Sequence, residues 1–284
     1  MCPHACRLSE GSIGFCGARS AKGGQIHPLG YGICTSLALD RIEKKPLAHF
    51  FPGSFILSVG SFGCNLHCPF CQNWQIAQQI ARVRQKPSPK GFDQAARCGF
   101  PTTPEDLVES ARGLQEKGNI GIAFTYNEPL VGYEFVCDTA ALAKDAGLKT
   151  VLVTNAYANA SVFASAIKDI DATNIDLKAF TQEFYDNLLG PGGLEVVKRN
   201  IAYATSHCHV EVTTLIVPGL NDDPDEVEAL ACWLADIDSR MPLHLTRFHP
   251  AYKMPDAPPT PKSTMYSLGT RARRHLEHVH LGNM

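Results

Sequence analysis

From Phe55 onward, short runs of apolar and β-branched residues alternate with longer stretches of helical periodicity. The strands predicted from this pattern are Phe55–Val59, Ile120–Tyr126, Lys149–Thr154, Thr173–Leu177, Val210–Val217 and Leu243–Phe248, with a last short one at His278–Leu281. Between them the spacing predicts helices over Pro104–Lys117, Pro129–Ala146, Ser161–Lys168, Leu194–Ser206, Asp223–Asp236 and Lys262–His278. Gly147 follows the second of these helices as a stop residue. Strands alternating with helices imply βαβ units and a parallel sheet, so the fold class is α/β. The sheet closes as a partial or full parallel (β/α) barrel, or lies open as a doubly wound sheet. Both arrangements gather functional groups in the loops after the strand C-termini. The stretches Lys86–Pro104 and Pro250–Pro261 read as long loops, the kind that act as lids or binding segments. The first ~50 residues show little periodicity and are rich in Gly and Cys. The chain therefore divides into an irregular N-terminal Cys-rich segment, 1–53, and a core domain, 54–284.

Composition narrows the partners. With 284 residues, 44% of them apolar, the chain can bury a sizeable core. Charged residues make up 19% and the formal net charge is -2, which lacks the basic footprint of a nucleic-acid binder. Arg271, Arg273 and Arg274 fit a solvated helix face. No secretory or transit pattern opens the sequence, and no apolar run is long enough to span a bilayer. A soluble cytoplasmic protein, without membrane or nucleic-acid partners, is the expectation.

The 11 cysteines direct attention to spacing, because clustered cysteines in a reducing compartment serve as metal ligands or redox groups more often than as bridges. The strand at Phe55–Val59 runs into a Gly-containing turn and then Cys64, Cys68 and Cys71, a C-x3-C-x2-C array. Three thiolates on one loop cap three irons of a cubane and leave the fourth iron without a protein ligand. Ordinary cubane ferredoxins supply a fourth Cys nearby, whereas the next here, Cys98, is distant. The competing reading is tetrahedral zinc, with His67 as fourth ligand.

The Cys64–Cys71 array resembles that of the radical S-adenosylmethionine (SAM) superfamily. That resemblance implies a 4Fe–4S cluster on Cys64, Cys68 and Cys71, with Phe70 approaching the adenine of SAM. It also implies one-electron cleavage of SAM and a 5′-deoxyadenosyl radical that removes hydrogen from a protein or small-molecule substrate. A ferredoxin- or flavodoxin-like electron donor is the implied partner. The segment Thr125-Tyr126-Asn127-Glu128-Pro129 stands where many members carry Gly-Gly-Glu-Pro. Glu128 matches the carboxylate that holds the SAM amino group; the paired glycines have no match. The segments holding Asn155 and Asp176-Leu177-Lys178 resemble SAM-positioning segments of pyruvate formate-lyase activating enzymes, and His249 matches a family histidine near SAM. Those activases place an Asp where this chain has Val153, which puts a monovalent-cation site in doubt. As bare chemistry, Glu128 also suits a helix-start acid, Asp176 and Lys178 a surface pair, and His249 a satisfied polar residue.

The N-terminal residues Cys2, Cys6 and Cys16, with Tyr31–Ser54, resemble the AmmeMemoRadiSam group of radical SAM proteins, related to the same activases. Cys2, Cys6 and Cys16, joined by Cys34 or His4, are candidate ligands for zinc or a second cluster; reduced, partly buried thiols are the alternative. Glycyl-radical activation of a partner enzyme is one version of the expected activity. A non-catalytic iron–sulfur electron carrier or scaffold is the reading of another class.

Overall fold

The computed structural model describes residues 1–78, 99–189 and 192–284. Its strands are β1 (Arg19–Lys22), β2 (Gln25–Pro28), β3 (Ile33–Cys34), β4 (Ser36–Arg41), β5 (Phe55–Gly60), β6 (Phe100–Pro101), β7 (Asn119–Phe124), β8 (Lys149–Thr154), β9 (Ala172–Asp176), β10 (His209–Ile216), β11 (Leu243–Arg247) and β12 (Val279–Gly282). Apart from a single turn at Gln182–Phe184, the α-helices are α1 (Trp74–Gln78), α2 (Pro104–Gly113), α3 (Tyr133–Asp145), α4 (Ala160–Ile167), α5 (Gly193–Ala204), α6 (Pro224–Ile237) and α7 (Lys262–Ala272). An eight-stranded sheet runs β12-β11-β10-β9-β8-β7-β5-β4. Every neighbouring pair is parallel except β4–β5 at one edge.

The two faces of the sheet are covered differently, and the period-2 alternation of strand side chains explains how. Leu57 and Val59 of β5 join a core with Leu107 of α2, Phe135 of α3, Phe163 of α4, Val197 of α5, Leu230 of α6 and Leu268 of α7. Ile56, on the opposite face, packs with Ala123, Val151 and Ala172 around Ile42, Leu47 and Phe50. Helices thus cover one face, and the segment Ile42–Gly53 fills the other near the strand starts. A one-sided helical layer on a parallel sheet is the partial α/β barrel, not the doubly wound alternative. Three hydrogen bonds, two of them to a carboxylate, hold the filling segment. Glu211 accepts the amides of Ala48 and His49 at 2.9 and 2.8 Å, and the side chain of Asn174 donates to Pro46 O at 2.8 Å.

Local chemistry sets the element ends. Thr103 and Asp106 form a reciprocal capping box at the start of α2, where Pro104 occupies the first turn. Asp223 accepts from the amides of Asp225 and Glu226 at the start of α6. The expected helix Pro129–Ala146 opens instead with a 3-10 turn, Pro129–Gly132, and becomes α-helical at Tyr133. The helix expected over Lys262–His278 ends at Ala272.

The first 53 residues hold more order than their pattern suggests. β1 and β2 form an antiparallel hairpin, β3 pairs with β6, and β4 extends the main sheet. Of the expected loop Lys86–Pro104, residues 86–98 lie outside the described residues. Among the described residues no helix is long and apolar enough to cross a membrane.

Candidate SAM and cluster site

The loop after β5 is fixed before any side chain reaches it. Gly63 has φ +85°, and a Cβ there would stand 2.6 Å from Ala18 Cβ and 2.7 Å from Cys16 O. This close approach lets the Cys64 amide donate to Cys16 O at 3.0 Å. Cys68 is buried, and Cys64 and Cys71 are partly buried. Each sulfur faces a backbone amide: Leu66 N–H reaches Cys64 Sγ at 3.3 Å, Asn73 serves Cys71, and Cys68 is served by its own amide. Asn155 Nδ2 adds a contact to Cys64 Sγ at 3.7 Å.

Burial raises all three thiols, that of Cys68 to about 12, while the Lys178 ammonium pulls Cys68 and Cys71 back down. A coordinating metal reverses this preference by displacing the thiol proton. N–H groups aimed at sulfur and a nearby cation are what an anionic, thiolate-bound cluster requires, so these residues fit one. Among the described residues no three His, Cys, Asp or Glu side chains form a group that could hold a metal ion. His67 belongs to no such group among the described residues, and its ring stacks on Phe15, centroids 4.0 Å apart.

Glu128 stands beside this loop, 2% exposed. Its Oε1 accepts from Thr154 Oγ1 at 2.6 Å and from Leu130 N at 3.0 Å, and its Oε2 accepts from Asn155 N at 2.8 Å. Four lone-pair positions on a carboxylate leave one on Oε2 for a further donor. Burial raises the carboxyl to about 7, against the lowering effect of Thr154, Asn155 and Leu130. The side chain of the same Asn155 donates from Nδ2 to Asn65 Oδ1 at 2.9 Å, so Glu128 is tied to the cysteine loop through the backbone and side chain of one residue.

The residues in place of the expected glycines account for that departure. Tyr126 has φ +71°, a conformation that costs a non-glycine residue about 1–3 kcal/mol. Its hydroxyl donates to Asp40 Oδ2 at 2.6 Å, and the Lys45 ammonium lies 4.5 Å from its ring centroid and 2.9 Å from Asp40. Burial opposes the Asp40 charge, but Tyr126, Lys45 and Lys44 outweigh it and hold the carboxyl well below its usual range. Asn127 then braces the cysteine loop: Ser61 N donates to its Oδ1 at 3.0 Å, and its Nδ2 reaches Phe62 O and Gly63 O, each at 3.2 Å.

Asp176 and Lys178 pair at 2.8 Å. Burial alone would lower the Lys178 ammonium, yet Asp176 and the thiols of Cys68 and Cys71 raise it well above its usual range. Phe70 is buried, with its ring 6.4 Å from that of Phe184. His249 is exposed at the end of β11, its Nε2 3.2 Å from Asn283 O. The structure thus gathers Cys64, Glu128 and Asn155 in one bonded group and sets Asp176 and Lys178 beside Cys68 and Cys71. His249 has its bond elsewhere. Sequence reasoning missed Asn65, Thr154 as the partner of Glu128, and the Asp40–Lys45–Tyr126 network. Only the adjacency of Asn65 to Cys64 and of Thr154 to Asn155 offered a signal.

A family model described as the Radical SAM superfamily matches residues 58–233. An uncharacterized protein of Methanocaldococcus jannaschii is 37% identical over 100% of this chain and 80% of its own. The pyruvate formate-lyase 1-activating enzyme of Escherichia coli is 24% identical over 72% of this chain and 82% of that enzyme. The crystal structure of Streptococcus suis SuiB bound to S-adenosylmethionine superposes with a TM-score of 0.56 at 12% identity, over 80% of this chain and 51% of that one.

Proposed function

The chain belongs to the radical SAM superfamily and is an enzyme of that type, and on that premise we propose that it cleaves SAM reductively and abstracts hydrogen from a substrate. The family implies a 4Fe–4S cluster and SAM, and the residues placed to hold the cluster are Cys64, Cys68 and Cys71. When bound, that pair supplies one-electron cleavage of SAM to methionine and a 5′-deoxyadenosyl radical. The carrying observation is the hydrogen-bonded group that joins Glu128, through Asn155, to Cys64 Sγ. Glu128 accepts the SAM ammonium on its remaining lone pair, while Thr154 and two backbone amides fix the carboxylate. Lys178 offsets the negative charge of the thiolates. Phe70, buried beside them, presents an apolar ring to the adenine, and Asp176 keeps Lys178 in place. The likeness to SuiB, a protein solved with SAM bound, supports the SAM reading.

Glycyl-radical activation is the specific version that the pyruvate formate-lyase activating enzyme favours at 24% identity. Tyr126, Asn127 and Val153 depart from that pattern, so the broader hydrogen-abstraction reading leads. The test is spectroscopic. Anaerobically reconstituted, reduced protein is expected to give a cluster EPR signal that changes shape when SAM is added; a signal indifferent to SAM refutes the reading. Freeze-quenched mixtures with a glycyl-radical enzyme then decide the version, since only an activase yields a glycyl-radical doublet.

A further inference from the structure

Residues 250–261, which follow β11, take no part in the site described, and five of them are proline: Pro250, Pro255, Pro258, Pro259 and Pro261. Proline fixes its own φ, so such a segment is stiff and moves as a unit rather than by many small bends. Its far end is anchored. Thr260, fully buried, donates from Oγ1 to Ile216 O at 2.6 Å, and Arg247 Nε donates to Thr260 O at 2.6 Å. Between the ends, Met254 N donates to Ala251 O at 2.9 Å and closes a tight turn, while Met254 and Ala257 pack against the main core.

That turn reaches the cysteine loop. Lys253 N donates at 2.9 Å to the carbonyl of Pro69, the residue between Cys68 and Phe70. The Tyr252 ring stacks on Trp74 of α1, centroids 5.2 Å apart and planes 15° from parallel. In the sheet, β5 and β11 stand five strand steps apart, about 24 Å on a flat sheet at about 4.8 Å per step. Their following loops nevertheless touch, so the contact bridges the mouth of the half-barrel across the ends of β7, β8 and β9. Tyr252 has φ +52°, in the left-handed region, as do Tyr126 after β7 and Ala156 after β8, which flank Glu128 and Asn155 in the site. The strain at Tyr252 works against the stack and the single amide bond, each a modest interaction, so closed and open arrangements lie close in energy.

We propose that residues 250–261 form a latched lid. Tyr252 on Trp74 and Lys253 N on Pro69 O hold it down over Cys68 and Cys71, and its release opens the mouth to reactants. Anchored at Thr260 and continuous with β11, it pivots about those two ends. A closed lid excludes water from the site, and its opening sets the rate at which reactants enter and leave.

The contacts of the lid belong to the chain alone, so its test needs neither cluster nor SAM and stands whether or not SAM is cleaved. Lys253 is the one Lys or Arg in the segment, which makes trypsin cleavage after it a measure of opening. Cleavage tracks the open population when reclosing is the faster step. Alkylation of Cys68 and Cys71 by iodoacetamide, read by mass spectrometry against the exposed Cys232, measures access to the mouth. Both are followed on the full chain without added iron, as wild type, Tyr252→Ala and Tyr252→Phe. In Tyr252→Ala, cleavage and alkylation should rise together by about 2- to 13-fold, the range that one lost aromatic pair allows. Tyr252→Phe keeps the stack and should stay within about twofold of wild type. Unchanged cleavage in Tyr252→Ala means that nothing is latched there and overturns the proposal. So does faster cleavage with Cys68 and Cys71 unchanged, which leaves a loose loop that covers nothing. A rise at Cys34, buried in β3, means general unfolding rather than a lid and overturns it as well.

Discussion

Replacing Glu128 with Gln tests the site at its most exposed assumption, that a buried carboxylate receives the SAM ammonium. The carboxyl titrates at about 7 because burial raises it, so half is protonated at neutral pH. If only the carboxylate form binds, the apparent Kd rises by the factor 1 + 10^(7 − pH), roughly 11 at pH 6 and 1.3 at pH 7.5. SAM should bind about eightfold more weakly at pH 6 than at pH 7.5. At pH 7.5 an ordinary α-amino group, near 7.7–8.0, is still mostly ammonium, and its partial deprotonation trims the difference to about five- to sixfold. Glu128→Gln removes the charge-assisted contact, worth about 1.5–3 kcal/mol, and should weaken binding about 10- to 150-fold at pH 7.5. Its pH profile should be flat. Thr154→Val removes the donor at 2.6 Å and should move the wild-type midpoint above 7. Calorimetric SAM titrations on reconstituted protein across this window provide the assay. A flat wild-type profile, or an unchanged slope in Glu128→Gln, would refute the reasoning.

Three further perturbations follow from the geometry. Tyr126→Phe deletes the hydroxyl bonded to the buried Asp40 carboxylate and should cost about 1.5–3 kcal/mol in urea denaturation. Gly63→Ala adds a methyl at φ +85° against Ala18 and Cys16 O, and should lower both melting temperature and bound iron. The third concerns acid. Burial lowers His49 and His280, whose Nε2 atoms lie 2.9 Å apart, and the neighbouring His278 and His244 push the same way. The unfolded chain takes those protons more readily, so stability should fall as pH drops below about 6.5. Burial works against the Glu211 charge, but bonds from His209, His244 and the amides of Ala48 and His49 win and depress it, so a second loss should begin below about 4.5. Urea midpoints between pH 2 and 8 check both, and a His49→Gln/His280→Gln variant should lose the first step alone.

The alternation from Phe55 onward was legible because each strand and helix writes its own period into the chain; Lys149–Thr154 is observed at the residues its pattern predicts. Strand Ser36–Arg41 was not legible. As an edge strand it is only partly buried, so SLALDR shows no clean alternation. The helix predicted to His278 stops at Ala272, and Arg273, Arg274 and His275 close it with turn bonds to Gly269, Arg271 and Ala272. In the site, Cys64, Cys68 and Cys71 stood out by spacing and Glu128 by resemblance. The Asp40–Lys45–Tyr126 network left no trace, because its members lie up to 86 positions apart. Asn65 and Thr154 likewise act through partners 90 and 26 positions away, respectively. Periodicity reports which face a residue takes; it carries nothing about which distant side chain completes its bonds.

The central claim is that this chain cleaves SAM at Cys64, Cys68 and Cys71, and 5′-deoxyadenosine reports it directly. Reconstituted protein under strict exclusion of oxygen, given SAM and a strong one-electron reductant, should accumulate 5′-deoxyadenosine. A Cys64→Ala/Cys68→Ala/Cys71→Ala variant should form none. Absence of 5′-deoxyadenosine from wild-type protein that carries a formed cluster would contradict the account.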